Sequence, residues 1–276
     1  MMDIINAGID PHRWFAGVRD KVITTDLTHK DDPKWVAEIN ALLKEKISAS
    51  ARQFSKAANF GFPGALGTKT FYLNCRAQGM MITMDEADDL RRVWIETFHE
   101  MKQFQRPEEC KNTPNFSAYY GAYSDEEEES EVDQEAPRQL YKCILPCGQV
   151  RNRCTYNAAC NTAFQATTAV GAKQAGWNLV YNGYGPRLYN FVHDEFLYCL
   201  YPEELKTHIP NIERLMIQGM KQFIPDVKVG VESTVMWHWD KKAAEFNDIE
   251  WDEEGMPIIE QPPYVQELYN KLGEIK

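Results

Sequence analysis

Residues 188–200, LYNFVHDEFLYCL, constrain the chain more than any other stretch. Two strand-length runs of β-branched, aromatic and aliphatic residues flank one polar knot, His193-Asp194-Glu195. A knot that short leaves room only for a tight turn, so the spacing predicts a hairpin with adjacent carboxylates at its tip. Carboxylates beside an apolar hairpin are costly unless something compensates them, and a metal ion does so. Magnesium held by few carboxylates, its shell completed by phosphates, is the usual use of such a site. An ordinary polar turn is the competing reading, since Asp favours turns for local hydrogen-bonding reasons.

A second feature lies in residues 47–67, ISASARQFSKAANFGFPGALG. Arg52, Lys56 and Phe60 recur every four residues and therefore share one face of a helix. Two cations followed by an aromatic suit a phosphate chain at one end and a base at the other. Gly61, Pro63, Gly64 and Gly67 then end the helix. They do not form a Walker-type loop, because no Gly-Lys-Ser/Thr follows. The alternative is a solvated basic stripe closed by one core aromatic.

The length, 276 residues, permits one large or two small domains with a real core. No stretch approaches the ~18 apolar residues of a membrane span. The N-terminus shows no basic-then-apolar leader, so the expected location is the cytoplasm. Seven cysteines at irregular spacing suit free thiols in a reducing compartment better than a disulfide framework. The net charge of −11 argues against nucleic acid until its distribution is considered. Residues 124–136 carry eight acids and no Lys or Arg, and residues 241–276 carry nine acids against four lysines. The remaining body is +2, so polyanion binding is permitted, though not indicated.

Along the chain, Asp10 is placed as an N-cap with Pro11 at the first helical position. His12 alone reads as an ordinary surface histidine. Residues 26–33 read as a loop and 35–46 as a helix with Val36, Ile39, Leu42 and Leu43 inward. Residues 84–104 read as one long helix with an acidic start and a stripe including Leu90, Val93, Trp94, Phe98 and Met101. Residues 112–137 read as a solvated, mobile insertion. A short strand at 141–147 leads to a basic turn with Arg151 and Arg153. A helix follows at 161–180, with Asn161 as N-cap and Ala163, Ala166, Ala169, Ala172 and Ala175 allowing close backbone approach. After the hairpin come a helix from 202 to about 223 with Ile212, Leu215, Met216 and Met220 inward, and a strand at 227–235. Cys143, Cys147, Cys154 and Cys160 lack the CxxC pairs of a zinc ribbon and read as buried or idle thiols. His29, His99, His208 and His238 sit in no ligand-like spacing.

Four separated pieces now fit one family in order. RQFSKAANFG resembles the fingers helix of family A DNA polymerases, with its Arg, Lys and Phe or Tyr at four-residue intervals. VHDE at 192–195 resembles that family's palm hairpin. NTAFQATTAVGAK resembles the palm helix carrying Asn and Gln four apart, and GIDPHRWFA resembles the Asp-x-His segment before the fingers. The match runs from about Gly8 to Trp239 and looks closest to phage members.

The resemblance implies roles. Arg52 and Lys56 would grip the triphosphate of an incoming deoxynucleotide, and His12 would assist at its phosphates. Phe60 would stack on base and sugar, and Phe in place of Tyr implies discrimination against dideoxynucleotides. Asn161 and Gln165 would touch primer-template DNA, with Arg151 or Arg153 replacing an Arg expected where Asn157 stands. His193 would approach the primer terminus, Asp194 would bind catalytic metal, and Glu195 would support it. Gly64 stands where the family has Tyr, and Ala166 where it has Gly.

The family's first palm motif, Asp-Tyr/Phe-Ser-x-x-Glu, precedes the Asp-x-His segment, and this chain begins too late to hold it. Two-metal phosphoryl transfer needs carboxylates around ions ~3.5–4 Å apart. The expectation is therefore one half of a split polymerase. Two Mg²⁺ ions would be shared with a carboxylate of an N-terminal partner chain that also carries the thumb.

The expected fold class is α+β: a palm of short antiparallel sheet with packed helices, plus a helical fingers subdomain. The expected boundaries are a linking segment 1–24, fingers 25–138 with the acidic insertion 124–136, palm 139–240, and an acidic tail 241–276. Expected ligands are primer-template DNA and deoxynucleoside triphosphates. Two rivals are a non-catalytic nucleotide- or DNA-binding accessory protein and an incomplete reading frame.

Overall fold

The computed structural model describes residues 1–105, 141–145, 147–239, 243–259, 263–264, 267 and 271. The acidic run 124–136, and with it the expected mobile insertion, lies outside the described residues. The chain divides into two compact units, Met1–Val170 with Phe223–Lys228, and Gly171–Gln222 with Val229–Lys276.

The first unit is built on helices α1 (Met2–Asn6), α2 (Pro11–Arg19), α3 (Pro33–Lys46), α4 (Ala49–Gly61), α5 (Thr68–Ala77), α6 (Met84–Thr97) and α7 (Glu100–Gln105). Their starts follow from capping chemistry. Asp10 and Asp32 cap α2 and α3, each with proline next, where a missing N–H is harmless. The Ser48 side chain accepts from Ala51 N–H at the start of α4. Thr83 and Glu86 form a reciprocal capping box on α6. Arg13 reaches from α2 to the Ile47 and Leu43 carbonyls at 2.7 and 3.3 Å, tying α2 to the junction between α3 and α4.

These helices bury one core containing Trp14, Phe15, Leu43, Phe62, Phe71, Trp94 and Phe98. Each large side chain contributes about 1.5–3 kcal/mol by leaving water. The rings also meet in tilted or edge-on pairs, Phe62 with Phe71 at 4.6 Å and Trp94 with Phe98 at 5.5 Å. The single helix expected over 84–104 is instead two. Phe98 leaves helical geometry (φ −115°, ψ 63°) with its side chain buried, and α7 restarts beyond it.

Strands β1 (Tyr141–Ile144) and β2 (Val150–Cys154) pair antiparallel. Arg151 and Arg153 therefore lie on a strand, not in the expected turn. The chain turns at Gly148, which has φ +83° and donates to the Leu145 carbonyl. Cys143 and Cys154 are buried on this hairpin against Ala159. Helix α8 (Tyr156–Leu179) follows and ends in the second unit. Its first turn closes from Ala159 N–H to the Thr155 carbonyl, so Asn161 lies inside the helix and is not its N-cap.

In the second unit, β3 (Leu188–Val192) and β4 (Glu195–Tyr198) form the expected hairpin, and Phe191 stacks on Phe196 across it at 4.3 Å. Helix α9 (Leu205–Lys221) packs against the end of α8, with Leu179, Tyr184, Ile212 and Leu215 as the buried cluster. Gly219 allows this, since a Cβ there would stand 2.4 Å from the Ala175 nitrogen. Of the strand expected at 227–235, only β5 (Thr234–Val235) forms, paired with β6 (Ala244–Glu245). Strands β7 (Glu250–Trp251) and β8 (Pro257–Ile258) make a further ladder in the acidic tail. Helices with short antiparallel ladders give the α+β class.

Candidate functional site

The first unit gathers four of the residues singled out from sequence. Asp10 Oδ1 accepts the His12 and Arg13 backbone N–H groups at 2.8 and 3.2 Å, and its Oδ2 accepts Arg52 Nε–H at 2.6 Å. The cap of α2 thus also fixes the first cation of α4. Burial pushes the Asp10 carboxyl upward, but Arg52 and the two backbone donors outweigh it, so its pKa lies below the ordinary value. Among the described residues, Asp10 engages only the Nε–H of Arg52, which leaves its Nη donors to face an anion.

Lys56 Nζ lies 5.8 Å from the centroid of the Phe60 ring, and the His12 ring lies 5.6 Å from it. Phe60 is 67% exposed, so it is not the core aromatic of the alternative reading. A groove of about 350 Å³ beside it is lined by Lys56, Phe60, Gly61, Leu66, Phe71 and Asn74, among others. An exposed ring beside one cation and an imidazole, with Arg52 two turns earlier on the same helix, can stack on a base while the cations neutralise phosphate.

His12 is not the ordinary surface histidine its position alone suggested. It is half-buried, and its Nδ1 is 3.0 Å from Asn59 Nδ2. Burial pushes its pKa down; Asp10 opposes this, while Arg52 and Lys56 add to it. Asn59 in turn accepts from the Trp94 indole N–H at 2.9 Å and donates to the Pro11 carbonyl at 3.1 Å. Neither Asn59 nor Trp94 was singled out from sequence. The asparagine sits one residue before Phe60, and its partners are 35 and 47 residues away, beyond any local pattern.

The expected DNA contacts of this unit are placed as follows. The Asn161 side chain lies against Gly64, within 3.4 Å of where a Cβ would be. Asn157, where the family has Arg, donates to the Ala65 carbonyl at 2.8 Å and so also reaches the loop after α4. Gln165 is exposed one turn beyond Asn161. Arg151 is exposed and donates to Thr162 Oγ1 at 2.8 Å, while Arg153 is exposed at φ +54°.

In the second unit, Val192 pairs with Glu195, leaving His193 and Asp194 as the two-residue turn. His193, Asp194 and Glu195 are all exposed. His193 has φ +57°, a left-handed conformation that glycine adopts more easily. Two adjacent carboxylates supply the hard oxygen donors that magnesium prefers. Among the described residues, no group of three or more His, Cys, Asp or Glu is placed to hold a metal ion.

No protein-family model matches the chain. A curated relative, DNA polymerase I of Aquifex aeolicus (strain VF5), is 23% identical over 246 residues, covering 87% of this chain and 35% of the relative. A solved structure, the POL domain of Pol1 from M. smegmatis in complex with DNA primer-template and dNTP, superposes with a TM-score of 0.50. It is 16% identical over 82% of this chain and 33% of that one. The chain therefore spans about a third of each of these two proteins, and its fold is that of a polymerase domain. Among the described residues, no helix is long and apolar enough to cross a membrane.

Proposed function

We propose that this chain is the fingers-and-palm part of a family A DNA polymerase, phage-like, working with a partner chain that carries the first palm motif and the thumb. The observation that carries the reading is Lys56 and His12 beside the exposed Phe60, with Arg52 on the same helix held by the Asp10 cap. The distant likeness to DNA polymerase I and to a polymerase domain solved with primer-template and dNTP supports it. In this reading residues 25–138 are fingers and 139–240 palm, and the protein acts in the cytoplasm of its host.

The incoming deoxynucleoside triphosphate lies along α4. Arg52 and Lys56 face its phosphates as charge-assisted donors, His12 adds a neutral donor, and Phe60 covers base and sugar. Asn161, Gln165, Arg151 and Arg153 contact primer-template DNA, and His193 approaches the primer terminus. Asp194 and Glu195 would hold magnesium together with a carboxylate of the partner. When bound there, magnesium would supply charge stabilisation for attack of the primer 3′-hydroxyl on the α-phosphate, with pyrophosphate leaving.

The test is primer extension by the chain alone, by the chain with its complementing fragment, and by Asp194→Asn in that pair. The expected outcome is no extension alone and extension by the pair. The variant should lose at least about 100-fold, since metal charge stabilisation is worth several kcal/mol. Extension by the isolated chain would refute the split, and retained synthesis by the variant would refute the metal role. The accessory-protein reading is favoured by one observation, the incomplete metal shell among the described residues. It predicts nucleotide or DNA binding with no extension in any pairing.

A further inference from the structure

Asn59 is a buried polar residue, 7% exposed, whose side chain makes three hydrogen bonds with groups of fixed character. The Trp94 indole can only donate, so it must face the amide oxygen. The Pro11 carbonyl can only accept, so it must face the amide nitrogen. These two partners fix the orientation of the amide from opposite sides. The remaining N–H of Nδ2 then points at His12 Nδ1, 3.0 Å away, and that nitrogen can answer only with a lone pair. A neutral imidazole whose Nδ1 accepts carries its proton on Nε2.

We propose that Asn59, held by Trp94 and Pro11, is the positioning residue that fixes His12 as a neutral imidazole with Nε2–H available to a phosphate oxygen. The use of that N–H rests on the nucleotide-binding reading above; the tautomer itself does not. Protonating Nδ1 would set N–H against N–H. Turning the amide to relieve this would break both the indole and the prolyl bond, leaving buried groups unpaired at a cost of ~1–3 kcal/mol each. The surroundings agree. The charged groups acting on the ring are Asp10, Arg52 and Lys56, and burial with the two cations outweighs the carboxylate in keeping the imidazole neutral. A donor that needs no added proton keeps its strength as pH rises above 7.

Selective ¹⁵N-histidine labelling of the full chain, which has six histidines, tests this directly without mutation. The expected His12 pattern at pH 7 is an unprotonated Nδ1 and a protonated Nε2. An Nδ1–H tautomer or an imidazolium would overturn the proposal. In Asn59→Asp the carboxylate still accepts from Trp94 but also accepts from the ring, so His12 should gain an Nδ1 proton and titrate about one unit higher or more. An unchanged titration would overturn the relay. Asn59→Leu should release the tautomer and weaken binding of magnesium-dATP by about 2- to 10-fold, the loss of one net hydrogen bond. Unchanged affinity with a scrambled tautomer would overturn the phosphate role. The two readings fail separately: wild-type chain showing Nε2–H but no dATP binding sinks the nucleotide reading, and Nδ1–H with normal binding sinks the relay alone.

Discussion

One oxygen of Asp10 takes the first N–H groups of α2 and the other takes Arg52, so a single substitution should act on both helices. Asp10→Ala is expected to destabilise the protein by about 1–2 kcal/mol through the lost cap, with the Arg52 contact adding to it. Urea midpoints measure this. The sign with pH follows from the lowered carboxyl pKa. Asp10 stabilises the fold in full above its unfolded value near ~3.9, and the contribution is lost as pH falls through the lower folded value. The stability gap between wild type and Asp10→Asn should therefore stay level from about pH 7 to 5 and close below about pH 4. Ser55 behaves oppositely. It is fully buried on α4, and among the described residues its hydroxyl has no partner. Ser55→Ala should stabilise by about 1 kcal/mol in the same assay, since Ala is the better helix former and leaves nothing unsatisfied. Sequence spacing was enough to place Arg52, Lys56 and Phe60 on one face, because that is a local matter of helical period. It could not pair Arg52 with Asp10 across 42 residues, nor find Asn59 and Trp94 behind His12, because those contacts are made by tertiary packing.

Between elements, α9 comes close to α8 in the second unit. A Cβ on Gly219 would meet the Ala175 nitrogen and Cα at 2.4 and 2.5 Å, and these are backbone atoms that cannot turn aside. Gly219→Ala should cost about 1–3 kcal/mol, read as a lower denaturant midpoint, despite the higher helix propensity of alanine. The alanines of α8 advertised such an approach in the sequence, but not which neighbour would use it. Boundaries were harder to read. Thr155 starts a helix as readily as Asn161, and the residues between tolerate helix, so α8 begins earlier than the Asn suggested. Nothing in the periodicity of 84–104 marks Phe98 as the break, because its inward side chain fits the stripe while its backbone does not. The hairpin at 188–200 was legible because its alternation and its turn are both local.

At the scale of the whole molecule, charge is unevenly spread, with eight of the acids in residues 124–136. Excising 124–136 should tighten DNA binding about 3- to 10-fold at low ionic strength, and the difference should vanish in high salt, as fluorescence anisotropy would show. The rest of the fold also supports a local misfit. His193 holds a left-handed backbone at the tip of the β3–β4 hairpin, where glycine would sit at ease. Replacing it with glycine should relax the loop, by ~1 kcal/mol, yet remove the imidazole proposed to meet the primer end. A molecule made sturdier and slower by the same change would mark this tip as a place where function and comfort pull in opposite directions.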